Sequence, residues 1–417
     1  MNSAYIYNNR CSGVATASML MSSRRVKAFS PFSFLFFYFF IFSFFTSCRT
    51  DDIIVYMEDV DTGAPAAPTE VKGMYVLCEG NMGSNKATLD YLDLSAADST
   101  IHYLRNIYAE RNPGEVKELG DVGNDIQIYG SRLWLVINCS NKVEVCRARD
   151  AVKIGKVDIP NCRYVAFHEG YAYVSSYVGP VSVGQDAPLG QVYKIDTLTL
   201  QVAGRVTVGY QPDELAVVGD KLYVANSGGY RAPDYDRTVS VIDLQTFAVE
   251  RTIDVAPNLH RCRADRYGQL WVTSRGDYFD NPSRLCWLQP DADGQMQPGG
   301  QIDVAVSDMC IVGDSLYYIG VQFDYNTMRN EHSYGIVDVK KHEVITTQLT
   351  DAPEAAAVKL PYGIIVHPQQ RDFYLMDAKN YVSSGELLHF RSDGTFDYKV
   401  RTGDIPAHAV FLINNNK

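Results

Sequence analysis

Three arginines and two histidines are the side chains of this 417-residue chain whose types suggest chemistry. Arg163, Arg261 and Arg263 stand out because the formal net charge of the chain is −11. A guanidinium is a planar fork of N–H donors, so each could bind carboxylate, amide or phosphate oxygens of a ligand. Each could equally be neutralised by acids predicted nearby: Asp213, Glu214 and Asp308. His260 and His408 could ligate a metal, although a single rim histidine is more often only hydrogen-bonded.

Motifs of the common enzyme classes are absent from the sequence. There is no GxSxG elbow, no HExxH zinc motif and no phosphate-binding P-loop. The nine cysteines contain no CxxC pair, so structural zinc is not expected. Cys139 and Cys162 fall in neighbouring predicted loops, where two thiols are favoured over a disulfide. We therefore predict no catalytic residues, no metal and no cofactor.

A repeated unit must position these side chains, and it is clearest in residues 213–255. Two β-rich runs flank the turn Gly219-Asp220, a third run alternates from Thr238 to Asp243, and a fourth runs from Val249 to Val255. Four-stranded meanders at a fixed period are typical of β-propeller blades. The start of the second strand occurs six times, at Leu133-Trp134, Ala172-Tyr173, Leu222-Tyr223, Leu270-Trp271, Leu316-Tyr317 and Phe373-Tyr374.

A seventh copy is split between the two ends of residues 73–417. Gly73 to Glu79 and Ala87 to Leu94 supply a second and a third strand, whereas Ala407 to Ile413 resembles an inner strand with nothing after it. Pairing the last element with the first removes free sheet edges and ties down the terminus. The predicted fold is therefore all-β: a seven-bladed β-propeller of four-stranded antiparallel blades, closed by the C-terminal strand.

The N-terminal region has the features of an export signal. Basic residues precede the apolar run Phe32 to Phe45, which is followed by Thr46-Ser47-Cys48. We interpret residues 1–47 as a signal peptide, of which 1–20 are an upstream extension, Cys48 as a lipidated N-terminus, and residues 48–72 as an acidic, Pro- and Ala-rich tether. A plain signal peptide or anchor with an incidental cysteine is the alternative. Cleavage would remove four Lys and Arg and no acid, so −11 becomes about −15, which argues against nucleic acid or anionic lipid as partners.

The repeat alignment predicts which residues ring the mouth of the central channel. Each follows a turn and opens an inner strand, and each is polar: Asn124, Arg163, Asp213, Arg261, Ser307, Tyr362 and His408. A polar ring is expected where a wet funnel meets a polar ligand. Ordinary solvation of the channel explains each residue equally well.

The long predicted connections all lie on one face, whereas turns on the other face, such as Gly130-Ser131 and Gly313-Asp314, are tight. The long loops combine short polar residues with aromatic ones, a mixture typical of binding loops. The aromatic candidates for ligand contact are Tyr177, Tyr230, Tyr235, Tyr278, Phe279, Phe323, Tyr325 and Tyr381. The alternative is that these rings pack the loops against one another.

Two stretches resemble a known family. LYVANSG (222–228) and VSVIDLQT (239–246) are similar to YncE-like, surface-layer-type seven-bladed propellers. Gly73 to Asn85, followed by Ala87 to Leu94, resembles the opening of Bacteroides-group lipoproteins that include the cobalamin-capturing BtuG proteins, with Cys78 where that family usually has Asn. Thr50-Asp51-Asp52 resembles the acidic tag that sends such lipoproteins to the cell surface.

The resemblance implies a lipid-anchored protein on the outer face of the outer membrane. It further implies that the loop face binds cobalamin or another corrinoid and passes it to a TonB-dependent transporter, with no chemical step. The motif identifies the family better than it identifies the ligand. Two alternatives stay open: a lactonase-like or dehydrogenase-like propeller enzyme, and a protein–protein scaffold without a small ligand.

Overall fold

Seven antiparallel sheets arranged in a ring make up the part of the chain that the structure describes, which confirms the predicted seven-bladed β-propeller. The structure is a computed structural model, and it describes residues 57–61, 71–95, 100–115, 118–324 and 328–413. The expected signal, Cys48 and most of the expected tether lie outside the described residues.

The first blade is assembled from both ends of the propeller. Its N-terminal strands are β1 (Met57–Asp61), β2 (Val71–Cys78), β3 (Thr88–Asp93) and β4 (Thr100–Leu104). Helix α1 (Ile107–Arg111) follows them. Strand β1 pairs with β4 as a fifth, outermost strand. Strand β1 and the first two residues of β2 therefore lie within the expected tether, residues 48–72, and belong to sheet one.

Blades two to seven each take four consecutive strands. Blade two is β5 (Gly123–Tyr129), β6 (Arg132–Ile137), β7 (Lys142–Arg147) and β8 (Lys153–Asp158). Blade three is β9 (Cys162–His168), β10 (Tyr171–Ser176), β11 (Leu189–Asp196) and β12 (Val202–Tyr210). Blade four is β13 (Pro212–Val218), β14 (Lys221–Asn226), β15 (Thr238–Asp243) and β16 (Ala248–Asp254). Blade five is β17 (Leu259–Ala264), β18 (Leu270–Ser274), β19 (Arg284–Pro290) and β20 (Met296–Ile302).

Blade six is β21 (Asp308–Val312), β22 (Ser315–Asp324), β23 (Arg329–Asp338) and β24 (Glu343–Thr346). Helix α2 (Pro353–Ala356) precedes blade seven, which is β25 (Pro361–Val366), β26 (Phe373–Asp377), β27 (Ser384–Phe390) and β28 (Phe396–Asp404). The final strand, β29 (Pro406–Ile413), is the inner strand of blade one. It pairs with β2, so that Val410 lies opposite Tyr75, and the predicted closure by the C-terminal strand is confirmed.

The core consists of the interfaces between neighbouring blades. Inner and middle strands are covered on both faces, so β14 is apolar and buried almost throughout. The outer strand β16 instead alternates between exposed residues and residues that are buried or partly buried. The aromatic residue near the start of the second strand fills these interfaces in five blades, where Trp134, Tyr173, Tyr223, Trp271 and Tyr374 are buried, whereas Tyr317 of blade six is partly buried. The sequence repeat therefore reflects a repeated packing requirement.

Carboxylates on inner strands tie neighbouring blades together. Asp125 accepts a hydrogen bond from the backbone N–H of Val165 at 2.9 Å, and Glu214 accepts one from that of Cys262 at 2.8 Å. A hydrogen bond to a charged group contributes about 1.5–3 kcal/mol. Each such bond fixes the position of one inner strand relative to the next.

Cys139 and Cys162, both within the described residues, are not joined by a disulfide, as predicted. The thiol of Cys162 is buried and lies 3.3 Å from the carbonyl oxygen of Lys142. Neither helix of the described chain is long and apolar enough to span a bilayer.

Candidate functional site

A cavity of about 790 Å³ opens where the inner strands begin, on the face that carries the long loops. Six of the seven predicted ring positions line it: Asn124, Arg163, Arg261, Ser307, Tyr362 and His408. The structure therefore brings together residues from six blades that are far apart in the sequence.

β-bulges explain why adjacent residues of one strand both reach the cavity. Successive side chains of a regular strand point to opposite faces. In β9 the register shifts across Arg163 and Tyr164, and in β17 it shifts across His260 and Arg261. A bulge re-aims side chains in this way and is frequent next to functional sites. All four side chains line the cavity.

Asp213, the seventh ring position, lies behind the cavity wall instead. Its carboxylate is buried and accepts hydrogen bonds from Arg163 Nε at 3.1 Å and from Arg275 Nη1 at 3.3 Å. Both arginines line the cavity. Asp213 is thus a positioning residue, and Arg275, in the loop after β18, is a cavity residue that the repeat alignment did not identify.

Arg261 and Arg263 are paired with the acids that the sequence offered as neutralising partners. Arg261 Nη2 lies 3.0 Å from Asp308 Oδ1, and Arg263 Nη2 lies 2.9 Å from Glu214 Oε1. The Arg261 guanidinium also lies 5.3 Å from the centre of the Tyr164 ring, within range of a cation–π contact. The neutralising interpretation therefore holds for both arginines, but only Arg261 lines the cavity.

A neutral imidazole lies at the cavity wall beside a tyrosine. The pKa of His260 is held well below its ordinary value by burial and by the positive charges of Arg275 and Arg261. Burial raises the pKa of Tyr164 to about 12. The two side chains lie 3.0 Å apart between the Tyr164 hydroxyl and His260 Nε2, so a protonated tyrosine meets a neutral histidine at pH 7.

Another part of the cavity wall carries Glu79, His408 and Tyr362. His408 Nε2 lies 3.7 Å from Glu79 Oε1, and the Tyr362 hydroxyl donates to Glu79 Oε2 at 3.1 Å. The Tyr362 pKa is raised well above its ordinary value by burial and by the Glu79 charge, so this hydroxyl keeps its proton. Glu79 lies in the stretch Gly73 to Asn85, which resembles the opening of the lipoprotein family. The alignment of inner strands did not predict that Glu79 would line the cavity.

Aromatic residues from two loops form the exposed part of the mouth. Phe279 is 86% exposed and Tyr278 is 54% exposed, although both line the cavity. Asp277 holds their loop by accepting backbone hydrogen bonds from Phe279 and Asn281, both at 2.9 Å. Tyr278 and Tyr381 have φ values of 66° and 62°, a left-handed conformation that is costly for aromatic residues and concentrates at ligand-binding sites. These rings are therefore held at the mouth by their loops.

Other aromatic candidates pack away from the cavity. Tyr177 is buried and donates its hydroxyl to Asp213 at 2.8 Å, and Tyr230 packs edge-on against the Tyr177 ring. Tyr235 packs against Tyr278 with ring centres 6.3 Å apart. Tyr177, Tyr230 and Tyr235 therefore fit the alternative that these rings pack the loops against one another. Tyr325 and the side chain of Phe323 lie outside the described residues.

The described part of the chain contains no cluster of metal-ligating side chains. No group of three or more His, Cys, Asp or Glu side chains there could hold a metal ion. The cavity instead offers guanidinium and hydroxyl donors on its wall and aromatic surface at its mouth. This arrangement suits a ligand that combines oxygen acceptors with a flat apolar surface.

No protein-family model matches the chain, and no curated protein matches it. Solved structures do match. A quinonprotein alcohol dehydrogenase-like protein from Bacteroides thetaiotaomicron is 12% identical with a TM-score of 0.55, covering 82% of this chain and 78% of that one. Kuenenia stuttgartiensis hydrazine synthase is 13% identical with a TM-score of 0.54, covering 71% of this chain and 96% of that one. The WD40 domain of Neurospora crassa Pan2 is 12% identical with a TM-score of 0.48, covering 69% and 81%.

At such low identity the first two likenesses show the fold alone. Fold and site together define this chain as a seven-bladed β-propeller with a polar cavity, edged by aromatic residues, on its loop face.

Proposed function

We propose that this protein captures a small ligand in the loop-face cavity, and that the ligand is cobalamin or another corrinoid. The observation that carries the proposal is the division of the cavity into a guanidinium-rich wall and a mouth of exposed rings. A corrin is flat and edged by amides, so its face suits aromatic contacts and its edge suits hydrogen-bond donors. The exposed rings of Tyr278 and Phe279 would extend the contact surface beyond the cavity itself.

Capture rather than turnover is supported by the rigidity of the wall. Asp213 is held by two arginines and by Tyr177, while Glu214 is held by Arg263 and by a backbone N–H. Groups that are already ordered lose little conformational entropy when a ligand binds. Such a preformed site favours slow release, which a capture protein needs.

The proposed cellular location rests on the resemblance of the N-terminal sequence to that of surface lipoproteins. Cys48 would carry the lipid, and the segment after it would tether the propeller to the outer face of the outer membrane. From there the protein would hand its ligand to a TonB-dependent transporter, and close tethering would concentrate the ligand at the pore. The negative charge of the chain supports a partner other than nucleic acid.

A second candidate function is acid–base catalysis at the Tyr164–His260 pair. The 3.0 Å contact between a protonated hydroxyl and a neutral imidazole is the observation that favours it. Proton transfer needs groups within hydrogen-bonding reach and with matched protonation states, and this pair satisfies the first requirement. An enzyme of this kind would convert its ligand and release a product.

Isothermal titration calorimetry on the mature chain, produced without the signal and with Cys48→Ser, tests the proposal. We expect cyanocobalamin to bind with one-to-one stoichiometry, and haem and neutral oligosaccharides not to bind. Mass spectrometry of the recovered ligand separates capture from catalysis, because capture returns cyanocobalamin unchanged. Absence of corrinoid binding would refute the ligand, and a converted product would favour the enzyme.

A further inference from the structure

Arg261 is buried at the cavity wall with part of its hydrogen-bonding capacity unused. Its side chain is 4% exposed, and its Nη2 is paired with Asp308. Its Nε and Nη1 have no hydrogen-bond acceptor among the described residues. Leaving a buried donor of a charged group without an acceptor is costly, so such donors are normally satisfied.

The neighbouring carboxylates are held in other contacts. Glu214 Oε1 lies 3.8 Å from Arg261 Nη1, too far for a hydrogen bond, because it is drawn to Arg263 at 2.9 Å. Its Oε2 accepts the backbone N–H of Cys262. Asp308 is fixed likewise, since its Oδ2 accepts a backbone N–H from the next blade at 3.0 Å. Neither acid can turn towards Nε and Nη1 without losing a bond that holds two blades together.

Local charge favours a neutral acceptor over an anion. The guanidiniums of Arg261 and Arg263 already pair with the carboxylates of Glu214 and Asp308, and the charge of Asp125 also acts on Arg261. A further carboxylate would be brought close to these acids and would lose its hydration. A carbonyl oxygen accepts the same hydrogen bonds without adding charge.

We infer that Arg261 binds an amide carbonyl at the edge of the ligand through Nε or Nη1 and thereby sets how the ligand lies in the cavity. The inference rests on the proposed function, because it takes the ligand to be an amide-edged ring system. These two donors point to different edges of the planar guanidinium, so a ligand with several separated carbonyls suits them better than one carboxylate does. Exposed rings at the mouth, such as that of Phe279, then contact the flat surface of the same ligand.

Arg261→Lys tests this contact, with Arg251→Lys as the control. Both variants keep a positive charge and remove a guanidinium that bonds to a neighbouring blade, but Arg251, whose Nη2 donates to the carbonyl oxygen of Met296, does not line the cavity. We expect Arg261→Lys to weaken cyanocobalamin binding about tenfold or more, because a charge-assisted hydrogen bond is lost. We expect Arg251→Lys to change it less than about twofold. Equal effects of the two variants, or no effect of either, would overturn the inference.

A second measurement uses the unmodified protein and so avoids any loss of folding in a variant. Cyanocobalamin monocarboxylic acids, each with one corrin side-chain amide hydrolysed, are titrated in turn. We expect one isomer to bind about tenfold more weakly than the others, because its carboxylate replaces the carbonyl at Arg261 beside Asp308 and Glu214. Equal affinities for all isomers would overturn the inference. If cyanocobalamin itself does not bind, the proposed function fails instead, so the two failures are distinct.

Discussion

Arg163 donates from Nε to Oδ1 of Asp213 at 3.1 Å, although the two residues lie on different blades. The other carboxylate oxygen of Asp213 accepts a hydrogen bond from Arg275, which follows the second strand of a third blade. The Asp213 side chain is 1% exposed. One buried carboxylate therefore orients two cavity arginines and links three consecutive blades.

Replacement of Asp213 by Ala should lower the free energy of unfolding by about 3 kcal/mol, because it leaves charged arginines without their buried partner. Chemical denaturation of both proteins measures the difference. Asp220→Ala is the matched control, since Asp220 is 65% exposed in a turn on the other face, and we expect a change within about 0.5 kcal/mol. Similar small changes for both variants would mean that the Arg163 pair contributes little to stability.

The ring closure predicts a second stability effect. Phe411 on β29 is 9% exposed and packs against Tyr374 and His367 of blade seven. Phe411→Ala should lower the free energy of unfolding by about 3–5 kcal/mol, because it opens a cavity where the last strand closes the ring. Ile413→Ala on the same strand removes a side chain that is 42% exposed and should have a much smaller effect. Equal losses would contradict a closure held by Phe411.

Sequence periodicity was sufficient to predict the blades and most of the cavity ring. A pair of one apolar and one aromatic residue near the start of the second strand recurs in six blades and marks the packing between blades, and this fixes the alignment of the inner strands. Aligned positions such as Arg163, Arg261 and His408 therefore line the cavity together. A repeated sequence pattern predicts the blades because each blade packs against its neighbours in the same way.

Cavity residues that the alignment missed depend on geometry between blades. Tyr164 reaches the cavity only because a bulge shifts the register of β9, and no residue type in the sequence marks that bulge. Asp213 occupies an aligned ring position, yet ion pairing with Arg163 and Arg275 turns its carboxylate into the wall. Tyr177 likewise turns inward to reach Asp213. Tertiary hydrogen bonds decided these orientations, and a single sequence does not show them.

A buried histidine in blade seven predicts a pH dependence of stability. His389 Nδ1 lies 3.1 Å from Asp397, and its Nε2 lies 3.4 Å from Asp372. Burial lowers the pKa of His389, but the two carboxylates raise it by more, so the net pKa is above its ordinary value. The pKa of Asp397 is lowered, chiefly by its hydrogen bond with His389.

Because the folded-state pKa of His389 is raised, its stabilisation is complete below about pH 6.5 and is lost as pH rises through the folded value. The Asp397 contribution has the opposite sign: it is present above about pH 3.9 and is lost as pH falls through the folded value. The histidine–carboxylate cluster should therefore stabilise the fold most between about pH 4 and pH 6.5.

Denaturation of wild type and His389→Phe at several pH values checks this window. Phe keeps a ring between Tyr374 and Tyr398, whose centres lie 4.5 and 4.7 Å from that of His389. The difference in the free energy of unfolding should shrink as pH rises from about 6 to about 9. Asp397→Asn, which removes one of the two charges, should show the same trend. A difference that stays constant over this range would show that His389 acts through packing alone.

The aromatic mouth predicts a separation of binding from stability. Phe279→Ala removes a ring that is 86% exposed, so the melting temperature should stay nearly unchanged. Because the ring lines the cavity, cyanocobalamin affinity should fall about tenfold, as for a well-placed aromatic contact. Val183→Ala is the control: Val183 is 75% exposed in the loop after β10 and does not line the cavity. Calorimetry and thermal denaturation together decide the outcome, since equal losses of affinity and stability would make Phe279 a packing residue, and unchanged affinity would remove it from the ligand site.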